Sequence, residues 1–290
     1  MATTTNSAAM TTPSMTTSKM AATAASSPGT GPASGTPLAA LLNAGSAPSS
    51  GPIRMRTRLL LELRKAITTR SGLFLTIAAL AWAPLVLIGW LAAVGTAGHT
   101  AETVLGIGAT GVAVLLPIVT LMNVTGEWGQ RSILTTFSLD PARGKVLVAK
   151  VLAGQVLALA VIASALGSSL LTAVLMGVEL GGEDLGRIVL GIVGGGALYA
   201  LMGSALGTLT LSTPLGLGVL LVAPQLVTNL GPLAGERWAD IGPWVEINMR
   251  LGELSGGSVA HWGHLAVACL LWIALPLLLG FWRVRRADVA

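Results

Sequence analysis

Six long apolar stretches without a charged residue dominate the chain after residue 71. Each is long enough to cross the hydrocarbon core of a bilayer as a helix, which takes about 17–25 residues. They cover residues 72–95, 104–125, 151–178, 188–212, 214–233 and 265–282. The fourth and fifth stretches meet at Pro214, which cannot continue a helix, so they are counted as two spans. The pattern predicts an all-α integral membrane protein with six transmembrane helices.

A different pattern precedes the first span, over residues 53–71. Apolar residues recur there at helical spacing, at Leu59, Leu60, Leu63 and Ile67, and most other positions are polar and strongly basic. Such a helix is typical of segments that lie in the headgroup region of an anionic leaflet. We therefore predict an amphipathic interfacial N-terminal helix. Its predicted membrane-surface residues are Arg54, Arg56, Arg58, Arg64 and Lys65.

Residues 1–52 contain a single charge, Lys19, and consist mostly of small and polar residues. They lack both periodicity and the large apolar residues that could offset the entropy of ordering, so a disordered low-complexity tail is predicted. A signal peptide would need a basic start followed by an apolar run, and this segment does not contain that pattern. The predicted folded part is one membrane domain, residues 53–290.

Composition agrees with a membrane protein. Apolar residues make up 53% of the chain and charged residues 10%, whereas soluble domains carry about 25% charged residues. The net charge is +5, but nucleic-acid binding would need a basic patch on a polar fold, and no such partner is expected. The single cysteine, Cys269, excludes an internal disulfide and a cysteine-based metal cluster.

The distribution of charge predicts the orientation of the spans. With the amino terminus inside, fourteen of the 17 basic residues fall on the cytoplasmic side, and eight of the 12 acidic residues fall on the opposite side. This asymmetry follows the positive-inside rule. Both termini are therefore predicted to be cytoplasmic.

Small residues inside the spans form one motif that needs an interpretation. Residues 106–111 match GxGxxG, but no strand precedes them and they lie within an apolar run, so a dinucleotide site is not favoured. Close packing of helices through small residues is the better interpretation. It also covers two further pairs, Gly191 with Gly195 and Gly203 with Gly207.

The residues indicate no chemistry of the chain's own. No GxxxxGK[ST] phosphate-binding motif occurs, and no residue cluster predicts a catalytic or metal site. The predicted spans also contain no ionisable residue other than Cys269 and Tyr199, which argues against an ion-coupled carrier. Among the neutral polar residues, Gln225 and Asn229 are the best candidates to line a path, since they lie one helical turn apart.

The most informative polar segment is the loop at residues 126–150, GEWGQRSILTTFSLDPARGKVLVAK. Ile133, Leu134 and Phe137 are apolar at helical spacing within it. A merely solvated loop would not need them, so they predict a short helix that is presented to a partner in the helix-in-groove mode. Phe137 is the expected anchor of that contact.

Two segments together resemble the ABC-2 type permeases, the membrane subunits of bacterial ATP-binding-cassette exporters. The first is a basic leader of the form LxxELRKxxTTRS, and the second is the loop after the second span. The resemblance covers residues 53–290. In the loop the matching residues are Thr125, Gly126, Glu127, Thr135, Thr136, Phe137, Pro141, Arg143, Ala149 and Lys150.

The resemblance implies a function and a set of partners. Such a permease pairs with a second copy or a similar chain and with two cytoplasmic ATPase subunits, which use the ATP, in the bacterial plasma membrane. This chain itself would bind no cofactor. The basic leader would be an elbow helix, and residues 127–145 would form the coupling helix that docks on the ATPase. The residues expected to serve this coupling are Glu127, Arg131, Thr136, Phe137, Pro141, Arg143 and Lys150.

Two functions therefore stay open. The leading expectation is a membrane subunit that forms the substrate path of an ATP-driven exporter. The alternative is a membrane anchor or scaffold, without transport, whose basic loops recruit a soluble partner. Drugs, antibiotics, lipids and peptides are all compatible with the apolar spans as transported substrates.

Overall fold

The computed structural model describes residues 53–95, 99–130, 132–140, 142–180 and 183–286. All regular structure in these ranges is helical. The helices are α1 (Met55–Thr68), α2 (Arg70–Val94), α3 (Ala101–Gly129), α4 (Ile133–Leu139), α5 (Arg143–Leu175), α6 (Glu183–Thr210), α7 (Thr213–Leu230), α8 (Glu236–Val245), α9 (Ile247–Ser255), α10 (Trp262–Cys269) and α11 (Leu275–Arg286). The tail predicted for residues 1–52 lies outside the described residues.

Six of these helical segments are long and apolar enough to span a membrane, which confirms the predicted number of spans. They are α2, α3, α5, α6, α7 and a composite last span, in which the π-helical segment Leu270–Ala274 joins α10 to α11. The protein is thus a multi-pass membrane protein. The predicted break before the fifth span is also confirmed, because α7 starts at Thr213 with Pro214 in its first turn.

The helices around the polar loop are longer than the apolar stretches that predicted them. α3 continues to Gly129 instead of ending at residue 125, and α5 begins at Arg143 instead of residue 151. The connection therefore shrinks from residues 126–150 to residues 130–142. Both extensions carry charged residues, of which Glu127 on α3 and Lys150 on α5 form an ion pair, as described below.

Glycines bring the central helices α3 and α6 into close contact. A methyl group at Gly203 would overlap the carbonyl oxygen of Pro117, and one at Gly207 would crowd the backbone of the same helix, α3. Within the GxGxxG match, Gly111 accommodates the ring of Trp82. The prediction that these small residues serve helix packing is confirmed except at Gly106, where an added methyl group would meet no neighbour.

The first and fifth spans, α2 and α7, lie at the periphery of the bundle. Most of their large apolar side chains are exposed, including Phe74, Leu85 and Ile88 on α2 and Leu215 and Leu226 on α7. Exposed apolar faces of this size fit a lipid or protein environment and do not fit water.

Between the fifth and sixth spans the chain folds into a helical hairpin, α8–α9, that turns back into the bundle. At its tip, the indole Nε1 of Trp272 donates a hydrogen bond of 2.8 Å to the carbonyl of Val245. The hydroxyl of Tyr199 lies 3.5 Å from the carbonyl of Asn248. Tyr199 is about 24 Å along α6 from its start, at 1.5 Å per residue, so the hairpin reaches roughly half the depth of that span.

The hydropathy pattern does not reveal this hairpin, because no part of residues 234–264 is apolar over a full span length. In the structure α9 runs back along α6, and Gly191 and Gly195 allow its backbone to approach. Arg250, only 4% exposed, is paired with Glu253 at 2.9 Å.

Helix α1, helix α4 and the end of α11 lie at one end of the bundle. Val284 of α11 packs against Val124 and Leu147, which flank the α3–α5 connection. α1 packs along α5 and α2. We call this end, which carries α1, α4 and the last turns of α11, the basic end. That both termini and this end of the bundle lie on the cytoplasmic side of the membrane stays a prediction.

Candidate functional site: a charge cluster and a cavity at the basic end

Four charged side chains from three helices meet at the basic end. Glu62 and Lys65 come from α1, Glu127 from the last turns of α3, and Lys150 from the start of α5. Lys150 Nζ lies 2.7 Å from Glu62 Oε2 and 2.8 Å from Glu127 Oε1. Lys65 Nζ lies 2.8 Å from Glu62 Oε1 and 2.8 Å from Glu127 Oε1. These four residues form what we call the charge cluster.

The charge cluster is buried unevenly. The Lys150 side chain is 1% exposed and that of Glu62 is 6% exposed, whereas the Lys65 side chain is 42% exposed. A buried ammonium is tolerable because carboxylates on two helices compensate it. For Lys65, burial acts to lower the pKa, but hydrogen bonds to Glu127 and Glu62 outweigh burial and raise it.

Helix α4 is attached to the same cluster. The hydroxyl of Thr136 donates a hydrogen bond of 3.0 Å to Glu127 Oε2, and the backbone N–H of Ser132 donates one of 3.0 Å to the Glu127 carbonyl. Ile133 is buried toward the bundle, so it does not face outward to a partner as predicted. The exposed positions of α4 include Thr135 and Ser138.

A second ion pair holds the end of the connection. The guanidinium of Arg58 on α1 forms a bidentate pair with Asp140, with distances of 2.5 Å from Nε to Oδ2 and 3.0 Å from Nη2 to Oδ1. The N–H of Ala142 also donates to Asp140 Oδ1, at 3.2 Å. The hydrogen bond from Arg58 lowers the pKa of the Asp140 carboxyl below its ordinary value and raises the pKa of the guanidinium.

A cavity of about 610 Å³ opens beside the charge cluster, between α1, the start of α2 and the ends of α3 and α5. Glu62, Lys65, Glu127 and Lys150 form one wall. The residues that line it also include Thr69, Ser71, Thr76, Ser132, Thr135, Thr136 and Thr213, all of which carry hydroxyl groups. Its remaining walls include aliphatic side chains of Leu75, Val119, Met122 and Leu157.

The structure brings together three of the residues expected to serve coupling, namely Glu127, Thr136 and Lys150. Arg143 is the first residue of α5. Arg131 and Pro141 lie outside the described residues, as does the side chain of Phe137. The hypothesis that Phe137 anchors a partner therefore stays a prediction.

The five predicted membrane-surface residues divide into two groups. Arg54, Arg56 and Arg64 are exposed, and their contact with a membrane surface stays a prediction. Arg58 is instead 7% exposed in its pair with Asp140, and Lys65 belongs to the charge cluster. The reason is geometric: the face of α1 that packs on the bundle carries Arg58 and Glu62, and Leu60, Leu61 and Ile67 point outward.

The predicted path residues, Gln225 and Asn229, lie together on the exposed face of α7. The side-chain amide of Asn229 donates a hydrogen bond of 2.7 Å to the carbonyl of Gln225. Neither residue lines the cavity at the basic end.

Sequence reasoning missed Glu62 and Asp140 as partners in these contacts. Glu62 is the only acid among six basic residues in the leader, and this isolation was a usable signal. Asp140 carried no comparable signal, because its partner is 82 residues away in the chain.

Comparison with known proteins adds no relative to this picture. No protein-family model matches the chain. No curated protein matches it either.

Proposed function

We propose that this chain is the membrane subunit of an ATP-driven exporter in the bacterial plasma membrane, with its basic end at the cytoplasm. It works with a second copy or a similar chain and with two ATPase subunits, which bind the ATP. The proposal rests on the resemblance of the leader and of the α3–α5 connection to ABC-2 permeases. The geometry of the basic end supports it.

One observation carries most of the weight: Thr136 on α4 is bonded to Glu127, which is paired with Lys65 on α1 and Lys150 on α5. A force applied to α4 therefore acts at once on three other helices. An exporter needs this property, since a soluble ATPase must bias a bistable membrane element from outside.

The charge cluster makes the transmission stiff. Separating one partner from a buried ion pair leaves an uncompensated charge and costs about 3–5 kcal/mol. α1, the end of α3 and the start of α5 are thus expected to move together with α4. An isolated solvated loop would transmit little, because surface ion pairs contribute only about 0–1 kcal/mol.

The outer spans are compatible with pairing of two permeases. The exposed apolar face of α7 carries Gln225 and Asn229 beside Leu226. In a dimer that buried this face, the two polar residues would lie at the boundary between the copies, where a substrate path would run.

The test uses Ser138, which is exposed on α4 and does not line the cavity. The unmodified full chain, co-expressed with ABC ATPases of the same genome, should retain one of them on purification. Ser138→Arg places a bulky charge in the docking surface and should weaken retention by about 2 kcal/mol, or about thirtyfold in affinity. Binding is measured at equal membrane abundance.

The matched control is Thr57→Arg, which replaces an exposed hydroxyl residue on α1 at the same end of the molecule. It should leave ATPase retention unchanged. Equal loss with both variants would show that added charge, and not α4, is responsible. If the unmodified chain retains no ATPase, the exporter proposal fails and the anchor function takes its place.

A further inference from the structure

We propose that the cavity at the basic end binds a membrane phospholipid, with the phosphodiester at Lys65 and the acyl chains against the aliphatic wall. This inference goes beyond the exporter function and does not depend on it. The cavity volume of about 610 Å³ lies within the range of small-molecule sites, about 300–1,000 Å³.

The lining changes from polar to apolar along the helix axes. Val119 lies eight residues before Glu127 on α3, and Leu157 lies seven residues after Lys150 on α5. At 1.5 Å per residue, the aliphatic side chains are therefore about 10–12 Å from the charge cluster, toward the middle of the spans. A ligand that fills this cavity must be amphipathic, with its polar group at the end of the spans.

The polar end of the cavity favours an anion. Lys65 has three N–H donors and uses two of them on Glu62 and Glu127, while its side chain stays 42% exposed at the cavity. Ser71 and Gly72, in the first turn of α2, also line the cavity. This is the end at which the dipole of a long helix favours negative charge.

The carboxylates on the cavity wall do not oppose an anion strongly, because each is already compensated. Glu62 accepts hydrogen bonds from Lys65 and Lys150. Glu127 is paired with the same two ammonium groups and accepts a third bond from Thr136. Ser71 and Thr135 are exposed residues of the same lining, and each carries a hydroxyl group that can act as a neutral donor.

The surroundings point to a lipid as the source of this anion. The rim is formed by exposed residues at the α1–α2 junction, Thr69 and Ser71, and at the end of α3, Gly129 and Gln130. These positions are at the ends of spans, where phospholipid headgroups lie. A free phosphate would satisfy Lys65 but would leave the aliphatic wall uncovered.

The experiment titrates the purified full chain in detergent with dioleoyl phosphatidylglycerol and counts bound lipid by native mass spectrometry. One molecule should bind per chain. Dioleoylglycerol, which lacks the phosphate, should bind about tenfold more weakly, as expected for the loss of a charge-assisted hydrogen bond. Inorganic phosphate alone should not compete. Competition by inorganic phosphate at equal concentration would overturn the lipid assignment.

Two pairs of variants separate the site from general membrane effects. Lys65→Met should lower phosphatidylglycerol binding to the level of dioleoylglycerol, whereas Arg64→Met, which removes a neighbouring exposed charge, should not. Leu75→Trp fills the cavity and should abolish binding of both lipids, whereas Leu73→Trp, on the exposed face of α2, should not.

The proposal is overturned if Lys65→Met and Arg64→Met reduce binding equally, because the attraction would then be a property of the whole basic surface. It is also overturned if Leu75→Trp binds lipid as the unmodified chain does. Leu75→Trp leaves the charge cluster intact, so this second arm decides the matter even if Lys65→Met does not fold.

Discussion

At the scale of single residues, the ammonium of Lys150 is stable only because Glu62 and Glu127 compensate it. Its side chain is 1% exposed, so water contributes little to its solvation. The same arrangement makes each of the three residues dependent on the other two. A charge removed from such a cluster leaves its partners buried and unpaired.

We expect Lys150→Met to lower the free energy of unfolding by about 3–5 kcal/mol, because two carboxylates then lose their buried partner. Thermal and denaturant unfolding in detergent, followed by circular dichroism, measures the change. Lys145→Met removes an exposed lysine from the same helix and should change stability by less than about 0.5 kcal/mol. Similar effects of the two variants would contradict the burial of the cluster.

The Arg58–Asp140 pair predicts a dependence of stability on pH. The pKa of Asp140 is lowered in the folded state by the hydrogen bond from Arg58. The stabilisation is therefore complete above the unfolded-state pKa of about 3.9 and is lost as pH falls through the lower folded-state pKa.

Asp140→Asn tests this dependence. The stability difference between the unmodified chain and the variant should be constant between about pH 5 and 8 and should shrink below about pH 4. Unfolding temperatures at a series of pH values measure it. Asp184→Asn, which disrupts the exposed pair with Arg187, should give a small difference throughout, since exposed pairs contribute little. A difference that grew as pH fell would have the wrong sign.

At the scale of helices, the last span and the α8–α9 hairpin are held together through an irregular turn. The π-helical segment Leu270–Ala274 contains Trp272, whose indole bonds to the hairpin tip at Val245. π-helical turns inside α-helices are frequent at functional sites. Here the segment carries the indole that holds the hairpin tip.

Trp272→Phe keeps an aromatic ring but removes the N–H donor. We expect the hairpin to open more easily by about 1 kcal/mol, which corresponds to about fivefold faster labelling of a cysteine at its tip. The measurement uses Asn248→Cys in a Cys269→Ser background and maleimide labelling. Trp262→Phe, at an indole that is 67% exposed, is the control and should leave the labelling rate unchanged.

At the scale of the whole molecule, the two ends of the bundle differ in charge. The basic end carries α1, α4 and the last turns of α11, and the opposite end carries the turn after α9. The positive-inside rule therefore predicts that the basic end faces the cytoplasm.

Cysteine labelling in intact cells tests this orientation. In a Cys269→Ser background, an impermeant maleimide should label Ala260→Cys from outside the cell and should label Lys145→Cys only after permeabilisation. Both positions are exposed, so failure to label cannot be explained by burial. The reverse pattern would invert the topology and remove the proposed ATPase contact.

The number and approximate positions of the six spans follow from the sequence alone, because backbone groups in hydrocarbon must be satisfied within a helix. That requirement is local, so a run of apolar residues of sufficient length reveals it. The region around the fifth span was harder to predict. Pro214 correctly marked the break between the fourth and fifth spans. The hairpin at residues 236–255, between the fifth and sixth spans, was missed because each of its helices is too short to span a membrane.

Only the tertiary structure decided which charged residues meet. Glu62 and Lys150 are 88 residues apart in the chain, and Arg58 and Asp140 are 82 apart. The periodicity of α1 predicts a helix that lies in the headgroup region, whereas the structure buries Arg58 and Glu62 of this helix, because Asp140 after α4 and Lys150 on α5 supply partners of opposite charge. Ion pairing of this kind depends on distances across the folded bundle, and local sequence patterns do not encode those distances.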